Sequence, residues 1–384
     1  MDFDLSEEQR LLQDSARKLV SRHIRPQLDS HDRERPLPKE VVLGILQLFA
    51  REGLTAPRVP IEAGGSGMQM VDYGVVFEQL PPVIAHALIA HEVTITRIHA
   101  ESEEEKWRRH LPDLIAGRKI CCTATTEPDT GSDPRGVKTR AREEGDELVI
   151  DGRKMWITNA SISDVVVVTC SAGNAADGRA LRRILVDRAV SPYETREIDR
   201  LGSRQGHVGE ILFENCRVPR ENALGRSDDA PRVLTTTWNG SRPLLGLMAV
   251  HMAQRAFDAA LAYAGIRRQF GRLIGSTQLV QENLVDMATA IETSRLLCYK
   301  ALAEIDAGRR ANALAAMSKR YATTACLEAV SLAMSVHGAM GFSAELGLEE
   351  LYRDARMLLV PDGTHEIQTL IVGRELTGIA AFRA

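Results

Sequence analysis

One acidic side chain near the C-terminus is a candidate for proton transfer. Asp362 precedes Gly363 and Thr364 in the segment Pro361-Asp-Gly-Thr-His-Glu-Ile-Gln368. A carboxylate that a loop holds at the mouth of a helical bundle could act as a general base. Asp-Gly-Thr is also common in turns where Thr begins a helix, so the segment alone leaves both interpretations open.

Two polar segments in the middle of the chain could bind a phosphate-bearing ring. The loop Thr125-Thr-Glu-Pro-Asp-Thr-Gly-Ser-Asp133 offers hydroxyl groups, a glycine and backbone N–H groups. Such donors suit phosphates and the polar edge of a ring. In Gly152-Arg-Lys-Met-Trp-Ile-Thr-Asn159, an exposed Trp156 could cover a flat ring while Thr158 donates a hydrogen bond to it. A polar turn and a core Trp beside a strand Thr are the alternatives.

A basic segment lies where one long helical pattern ends and the next begins. It consists of Arg267-Arg-Gln-Phe-Gly-Arg272, with Gln278 a few residues later. A guanidinium can bind a diphosphate through two parallel hydrogen bonds, so Arg267 is a candidate phosphate ligand. A solvated basic turn is the alternative.

The elements that must position these residues change along the chain. Residues 1–117 show helical spacing of apolar residues, and Ser6 with Gln9 fits a capping box. Residues 118–228 contain short β-branched runs separated by turn residues, which predicts an all-β barrel or sandwich. Helical periodicity returns over 229–384 and predicts a helical bundle.

Composition excludes several classes of protein. The 384 residues carry 48 basic and 52 acidic side chains, a net charge of -4 that does not suit a nucleic-acid-binding protein. The longest apolar run, near residues 82–90, is too short to span a membrane. None of the six cysteines has metal-ligand spacing, so we expect reduced, buried thiols and no metal site. The acidic N-terminus lacks signal-peptide features, and we expect a cytoplasmic protein.

The four segments, in this order, resemble the acyl-CoA dehydrogenase family over essentially the whole chain. Asp2-Phe-Asp-Leu-Ser-Glu-Glu-Gln9 and Val218-Pro-Arg-Glu-Asn-Ala-Leu-Gly225 add to the resemblance. It implies an α+β multidomain fold with an N-terminal helical domain, a central β-barrel or sandwich domain and a C-terminal four-helix bundle. It also implies FAD, a homo-oligomer (a dimer or a homotetramer) and an electron-transfer flavoprotein as electron acceptor.

The resemblance assigns the cofactor-binding residues of the central domain. Thr126 is expected at the flavin pyrimidine edge and Ser132 at the diphosphate. Trp156 is expected beside the isoalloxazine, and Thr158 near its N5 atom.

The C-terminal domain supplies the remaining assignments. Arg267, Phe270 and Gln278 are similar to residues that hold the FAD of a neighbouring subunit. Thr364 and Glu366 fall where the family touches FAD again.

This sequence departs from the family at the position of the base. The family commonly has Glu where this chain has Asp362, and the second known base position holds Ser241. Arg242 matches an Arg near the catalytic loop and the thioester arm of the substrate. Thr123 replaces a common aromatic residue, and Ser335 stands where a Gln often contacts FAD.

The resemblance implies α,β-dehydrogenation of an acyl thioester, carried by CoA or by an acyl-carrier protein. Asp362 would remove the α-proton, and the β-hydrogen would leave as hydride to flavin N5. Asp is one methylene, roughly 1.5 Å, shorter than Glu. Two alternatives therefore stay open. One is a flavin oxidase similar to nitroalkane oxidase, which uses an Asp base, and the other is a non-catalytic flavoprotein or assembly subunit.

Overall fold

The computed structural model describes residues 3–172, 181–225 and 230–381. The helices before the first strand are α1 (Glu7–Leu19), α2 (Arg25–Asp29), α3 (Lys39–Arg51), α4 (Met70–Phe77), α5 (Pro82–Glu101) and α6 (Glu104–Ile115). Buried apolar residues of α3, α4 and α5 pack together and continue into the C-terminal helices as one core.

Helix α1 begins with the predicted capping box. The Ser6 hydroxyl accepts a hydrogen bond from the Gln9 backbone N–H at 3.1 Å, and the Gln9 side chain accepts one from the Ser6 N–H at 3.1 Å. Two N–H groups that a helix start leaves unpaired are thereby satisfied. The Gln9 amide also donates to Asp72 at 2.9 Å, which connects α1 to α4.

The middle of the chain forms one mixed sheet. Its strands are β1 (Cys121–Ala124), β2 (Arg140–Glu144), β3 (Glu147–Thr158), β4 (Val165–Ala172), β5 (Leu181–Asp187), β6 (Glu194–Glu197), β7 (Val208–Pro219) and β8 (Ala223–Leu224). Their order is β6-β7-β3-β2-β4-β5-β8, and β1 pairs with β4. Strand β4 runs parallel to β1 and β2 and antiparallel to β5.

The continuous valine run of β4 is buried on both faces of the sheet. Val166 and Val168 belong to the apolar core on one face of the sheet. Val165 and Val167 lie on the opposite face, where they pack against apolar residues of α5 and α6. Successive side chains of a strand point to opposite faces, so a strand covered on both sides needs an unbroken apolar run.

The C-terminal region is a bundle of long helices. It contains α7 (Ala230–Ile266), α8 (Gln278–Asp306), α9 (Asn312–His337), α10 (Leu348–Met357) and α11 (His365–Thr377), and the short strands β9 (Arg268–Gln269) and β10 (Arg272–Leu273) form a hairpin between α7 and α8. Gly246 lets α7 and α8 approach, because a Cβ there would lie 2.5 Å from the Cys298 sulfur. The predicted order of helical, β and helical regions is confirmed, and the boundaries at 117/118 and 228/229 stay predictions.

One helical stretch of the C-terminal region is long and apolar enough for a membrane span, although we expected no apolar run of that length. The stretch covers residues 312–342 and passes by length and composition alone, whereas the longest apolar run expected from the sequence lies near residues 82–90. This stretch mixes small residues with polar ones, so its sequence resembles that of an ordinary amphipathic helix. In the fold, Cys326, Ala329 and Val330 of α9 are buried in the bundle core, so we interpret α9 as its central helix.

All six cysteines are free and buried, as predicted. Cys121 lies beside His91, a fully buried residue of α5. The Nε2 of His91 lies 2.9 Å from the Leu114 carbonyl oxygen, and its Nδ1 accepts from the Cys121 N–H at 3.2 Å. This pattern fixes a neutral ring with the proton on Nε2.

Acid is expected to destabilise the protein through His91. Burial lowers the pKa of His91 from 6.5 to about 4. The unfolded chain therefore binds a proton between about pH 6.5 and 4 that the folded chain does not, and stability falls as pH falls through this window. His91→Gln keeps a donor and an acceptor but cannot titrate.

The measurement is the shift in thermal midpoint between neutral pH and about pH 5. We expect a smaller acid shift for His91→Gln than for the wild type. The matched control is His23→Gln, which changes an exposed ring. An acid shift in His91→Gln equal to that of the wild type would contradict the prediction.

Candidate active site

The candidate base lies on a tightly held turn between α10 and α11. Asp362 has a left-handed backbone, with φ of 54°, which Asp tolerates better than most residues. The Ser241 hydroxyl donates a hydrogen bond to its Oδ2. Its backbone carbonyl accepts from Arg242 Nε at 3.2 Å and from Gln368 Nε2 at 2.9 Å. Asp362 is therefore positioned by two residues within α7 and by one in the first turn of α11.

A buried lysine holds the same turn from the bundle side. Lys319 of α9 donates from Nζ to the Gly363 carbonyl at 2.5 Å and to the Leu359 carbonyl at 3.4 Å. Burial lowers the pKa of Lys319 to about 8, and the negative charge of Asp362 opposes that shift. The turn thus presents its carbonyl groups to buried donors and its acidic side chain to the hydroxyl of Ser241 on α7.

Asp362 is the negative centre of a group of basic side chains. Burial lowers the pKa of His86, Arg97, Arg242 and Lys319, and the charge of Asp362 opposes this effect at each of them. At Arg58 burial also acts to lower the pKa, but the charges of Glu92 and Asp362 contribute to raising it. Burial is the larger effect at Arg242 and lowers its pKa to about 10. Burial also lowers the pKa of His86 to about 4, so this ring is neutral at neutral pH.

His86 of α5 contacts the β domain, and the charge of Asp362 acts on it. Its Nε2 lies 3.3 Å from the hydroxyl of Thr158, one of the residues predicted to bind the cofactor. Two positions earlier, Trp156 adopts φ of 63° where the pairing of β3 with β7 shifts register, and its side chain is 53% exposed. The polar loop lies alongside, because the Met155 N–H donates to the Thr126 carbonyl at 2.9 Å. Ser132 lies on the exposed part of that loop.

These residues fit a flat cofactor that carries phosphates. A tryptophan is a large apolar side chain, and its exposure on a distorted strand leaves an uncovered face for a ring. The neighbouring loop offers hydroxyls and backbone N–H groups to polar atoms. The structure thus places Thr126 beside the end of β3 that carries Trp156 and Thr158, and His86, which contacts Thr158, feels the charge of Asp362.

The other predicted cofactor residues lie elsewhere. Arg267, Phe270 and Gln278 are exposed at the hairpin between α7 and α8, and Phe270 is 98% exposed with φ of 49°. Thr364 begins α11, and its hydroxyl accepts from the Ile367 N–H at 3.4 Å, while Glu366 is exposed in the first turn. An exposed aromatic side chain on a projecting hairpin suits contact with a second subunit, so the assignment of the first three residues to a partner's cofactor stays a prediction.

Comparison with known proteins decides the family. The chain matches the descriptions "Acyl-CoA dehydrogenase, N-terminal domain" over residues 6–118, "middle domain" over 122–216 and "C-terminal domain" over 231–377. A protein described as a probable acyl-CoA dehydrogenase, YngJ of Bacillus subtilis, is 33% identical over 98% of this chain and 100% of its own length. The chain belongs to the acyl-CoA dehydrogenase family.

Other relatives support the same conclusion. Glutaryl-CoA dehydrogenase of Desulfococcus multivorans is 32% identical over 99% of both chains. The structure of a glutaryl-CoA dehydrogenase from Mycobacterium smegmatis in complex with FADH2 superposes with a TM-score of 0.89 at 26% identity, covering 99% of this chain and 97% of that one. The protein is accordingly an FAD-dependent oxidoreductase of the acyl-CoA dehydrogenase type.

Sequence reasoning missed several polar residues around the site, of which Arg97 and Lys319 are buried and Arg58 and His86 are partly exposed. The sequence alone did not identify four of them, although the charge of Asp362 contributes to the pKa of each: Arg58, His86, Arg97 and Lys319. A signal was present, because charged residues rarely occur in helices that are otherwise apolar unless they are paired or functional. The run Pro82–Glu101 carries several such residues on one apolar helix.

Proposed function

We propose that the protein dehydrogenates an acyl thioester between its α- and β-carbons and that Asp362 removes the α-proton. The observation that carries the proposal is the half-buried carboxylate of Asp362, which Ser241 holds by a hydrogen bond while Arg242 holds the backbone carbonyl of the same residue. The charge of this carboxylate also acts on His86, whose Nε2 lies 3.3 Å from the hydroxyl of Thr158 on the predicted flavin-binding strand. No other carboxylate occupies either base position that the family uses, since Ser241 stands at the second one.

The hydrogen bonds leave the reactive atoms free. Ser241 binds Oδ2 of Asp362, and among the described residues nothing binds Oδ1, which is therefore available to accept a proton. The backbone N–H of Asp362 is also unused by the described hydrogen bonds, whereas its carbonyl is held by two side chains. This N–H can donate to the thioester oxygen as negative charge develops there, and such a fixed donor favours the transition state.

The predicted flavin-binding residues complete the arrangement. Thr126, Ser132, Trp156 and Thr158 would hold the FAD against β3 and its neighbouring loop. When bound, FAD accepts the β-hydrogen of the substrate as a hydride. The residues of this chain hold the cofactor, exclude water and place the α-carbon beside Asp362.

The substrate carrier and the partners are part of the proposal. The name of the Desulfococcus multivorans relative supports a CoA thioester, and an acyl-carrier-protein thioester shares the same arm. We propose an electron-transfer flavoprotein as acceptor, and a homo-oligomer in which Arg267 and Phe270 of one subunit contact the FAD of another. A cytoplasmic location is also proposed.

Anaerobic titration of the holoenzyme tests this function. Acyl-CoA and acyl-carrier-protein thioesters are added to the oxidised protein, and we expect at least one to bleach the flavin, with slow recovery in air. Rapid reoxidation that produces peroxide would support the oxidase alternative. Colourless protein that cannot take up FAD would support the non-catalytic alternative.

A further inference from the structure

Helix α5 is attached to the end of strand β3 through two neighbouring pairs of residues. The side-chain amide of Asn159 donates to the Ala87 carbonyl at 2.9 Å, and Nε2 of His86 lies 3.3 Å from the hydroxyl oxygen of Thr158. The first pair lies inside the protein, since Asn159 and Ala87 are at most 6% exposed. It fixes the helix against the strand and therefore keeps the His86 ring beside Thr158.

The contact between His86 and Thr158 lies at an accessible surface. Every residue from 81 to 89 is buried except His86, and Thr158 is half-buried between the buried Ile157 and Asn159. A bound molecule can therefore reach both side chains of this contact, although it cannot reach their neighbours along the chain.

The backbone around Thr158 is held by the sheet. Thr158 pairs with Val208 of β7, and the N–H of the next residue, Asn159, donates to the His207 carbonyl at 2.9 Å. Within the part of the chain that the structure describes, His86 is the only hydrogen-bond partner of the Thr158 hydroxyl. A hydroxyl has one proton to donate and two lone pairs to accept, so the role left for a ligand depends on the His86 ring.

The His86 ring is neutral at neutral pH. Burial lowers its pKa to about 4, the charge of Asp362 opposes this shift, and the charge of Arg200 adds to it. A neutral imidazole carries one N–H donor and one unprotonated nitrogen. Nε2 can therefore either donate to the Thr158 oxygen or accept the Thr158 proton, and these two states have opposite consequences.

Only one of the two states leaves Thr158 able to donate to a flavin. If Nε2 accepts, the hydroxyl proton is used within the protein. If Nε2 carries the ring proton, it donates to the hydroxyl oxygen, and the hydroxyl proton stays free for an acceptor atom of a bound ring. A hydroxyl that accepts a hydrogen bond is also a stronger donor, because hydrogen bonds in a chain polarise one another.

We propose that His86 is a positioning residue that donates from Nε2 to the Thr158 hydroxyl and thereby directs the hydroxyl proton to FAD. This inference rests on the proposed function, because it uses the expected place of Thr158 beside the flavin, and it adds the residue that controls this contact. His86 acts through Thr158 and takes no part in proton or hydride transfer.

The test measures FAD binding without any substrate. Flavin fluorescence gives the dissociation constant of FAD, and the visible absorption spectrum reports the surroundings of the bound ring. We expect His86→Leu to weaken FAD binding about fivefold, the effect of one ordinary hydrogen bond, and to shift the visible bands. His86→Gln keeps an N–H donor at a similar reach and should retain most of the affinity. Unchanged or tighter binding by His86→Leu would overturn the proposal, because it would mean that Nε2 accepts the Thr158 proton or does not act on it.

A double substitution separates the positioning role from a structural one. In a Thr158→Val background the hydroxyl is absent, so we expect His86→Leu to cause no further loss of FAD affinity. An equal loss in both backgrounds would make His86 a packing residue and overturn the proposal. The control is His23→Leu, which replaces an exposed histidine and should bind FAD as the wild type does.

These measurements distinguish failure of this inference from failure of the proposed function. The expected changes in FAD affinity, in a protein whose flavin no acyl thioester bleaches, would support the role of His86 and contradict the dehydrogenation. Bleaching by an acyl thioester, with wild-type FAD affinity and spectrum in His86→Leu, would support the dehydrogenation and overturn the role of His86.

Discussion

Asp362→Asn is expected to leave FAD bound but to slow flavin reduction by acyl thioesters about 10³-fold or more. The amide has the shape of the carboxylate, and its oxygen can still accept the hydrogen bond from Ser241. The backbone contacts with Arg242 and Gln368 do not involve the side chain and should persist. Only the capacity to take a proton is lost. The measurement is the anaerobic rate of bleaching in a rapid-mixing experiment.

Two further variants provide a control and a test of the side-chain length at position 362. Asp258→Asn changes an exposed carboxylate on α7, which accepts a hydrogen bond from Gln254, and should reduce flavin at the wild-type rate. Asp362→Glu lengthens the side chain by roughly 1.5 Å. At a left-handed position already bonded to Ser241, we expect a loss of about tenfold or more, since small misplacements are costly. Increased activity on straight-chain acyl-CoA would instead indicate a pocket built for a longer base.

Glu127→Gln is expected to destabilise the protein by about 3–5 kcal/mol and to weaken FAD binding. Lys154 Nζ donates to Glu127 at 2.8 Å and to the Thr125 carbonyl at 3.0 Å, and the two charged side chains are 0% and 4% exposed. Glu127 also accepts from the backbone N–H groups of Lys138 and Thr139, at 2.6 and 2.8 Å. Neutralising it leaves a buried ammonium without its counter-charge and releases the polar loop.

Thermal unfolding and FAD release measure this effect. The control is Glu144→Gln, which loses exposed ion pairs with Arg142 and Arg217 and should change stability little. If Glu127→Gln unfolded and released FAD as the wild type does, the loop would not depend on this buried pair.

Local features of this fold were predictable from short stretches of sequence. The capping box at Ser6 depends on residues three apart. Thr364 begins a helix as its turn sequence suggested, and Trp156, which lies within β3, is exposed as one of its two interpretations required. Asp362 was found because its spacing from neighbouring residues matched a known family.

Features that join distant parts of the chain were not predictable in this way. Arg58 pairs with Glu92, and Glu101 pairs with Arg183 from a different domain. Nothing in the local pattern of α5 says which of its charges finds a partner, so the arginine partners of Glu92 and Glu101 emerge only from the packed structure. The left-handed backbone conformation of Trp156 likewise lies at a register shift between β3 and β7, and this shift depends on both strands.

Proton exchange at the α-carbon tests the central claim most directly. 3,3-Dimethylbutyryl-CoA has α-hydrogens but no β-hydrogen, so its reaction with the holoenzyme in heavy water isolates the work of the base from flavin reduction. Mass spectrometry of the recovered thioester reports deuterium gained at the α-carbon. We expect the wild-type protein to catalyse exchange and Asp362→Asn to leave the thioester unlabelled. Exchange by Asp362→Asn at the wild-type rate would contradict the assignment of Asp362 as the base.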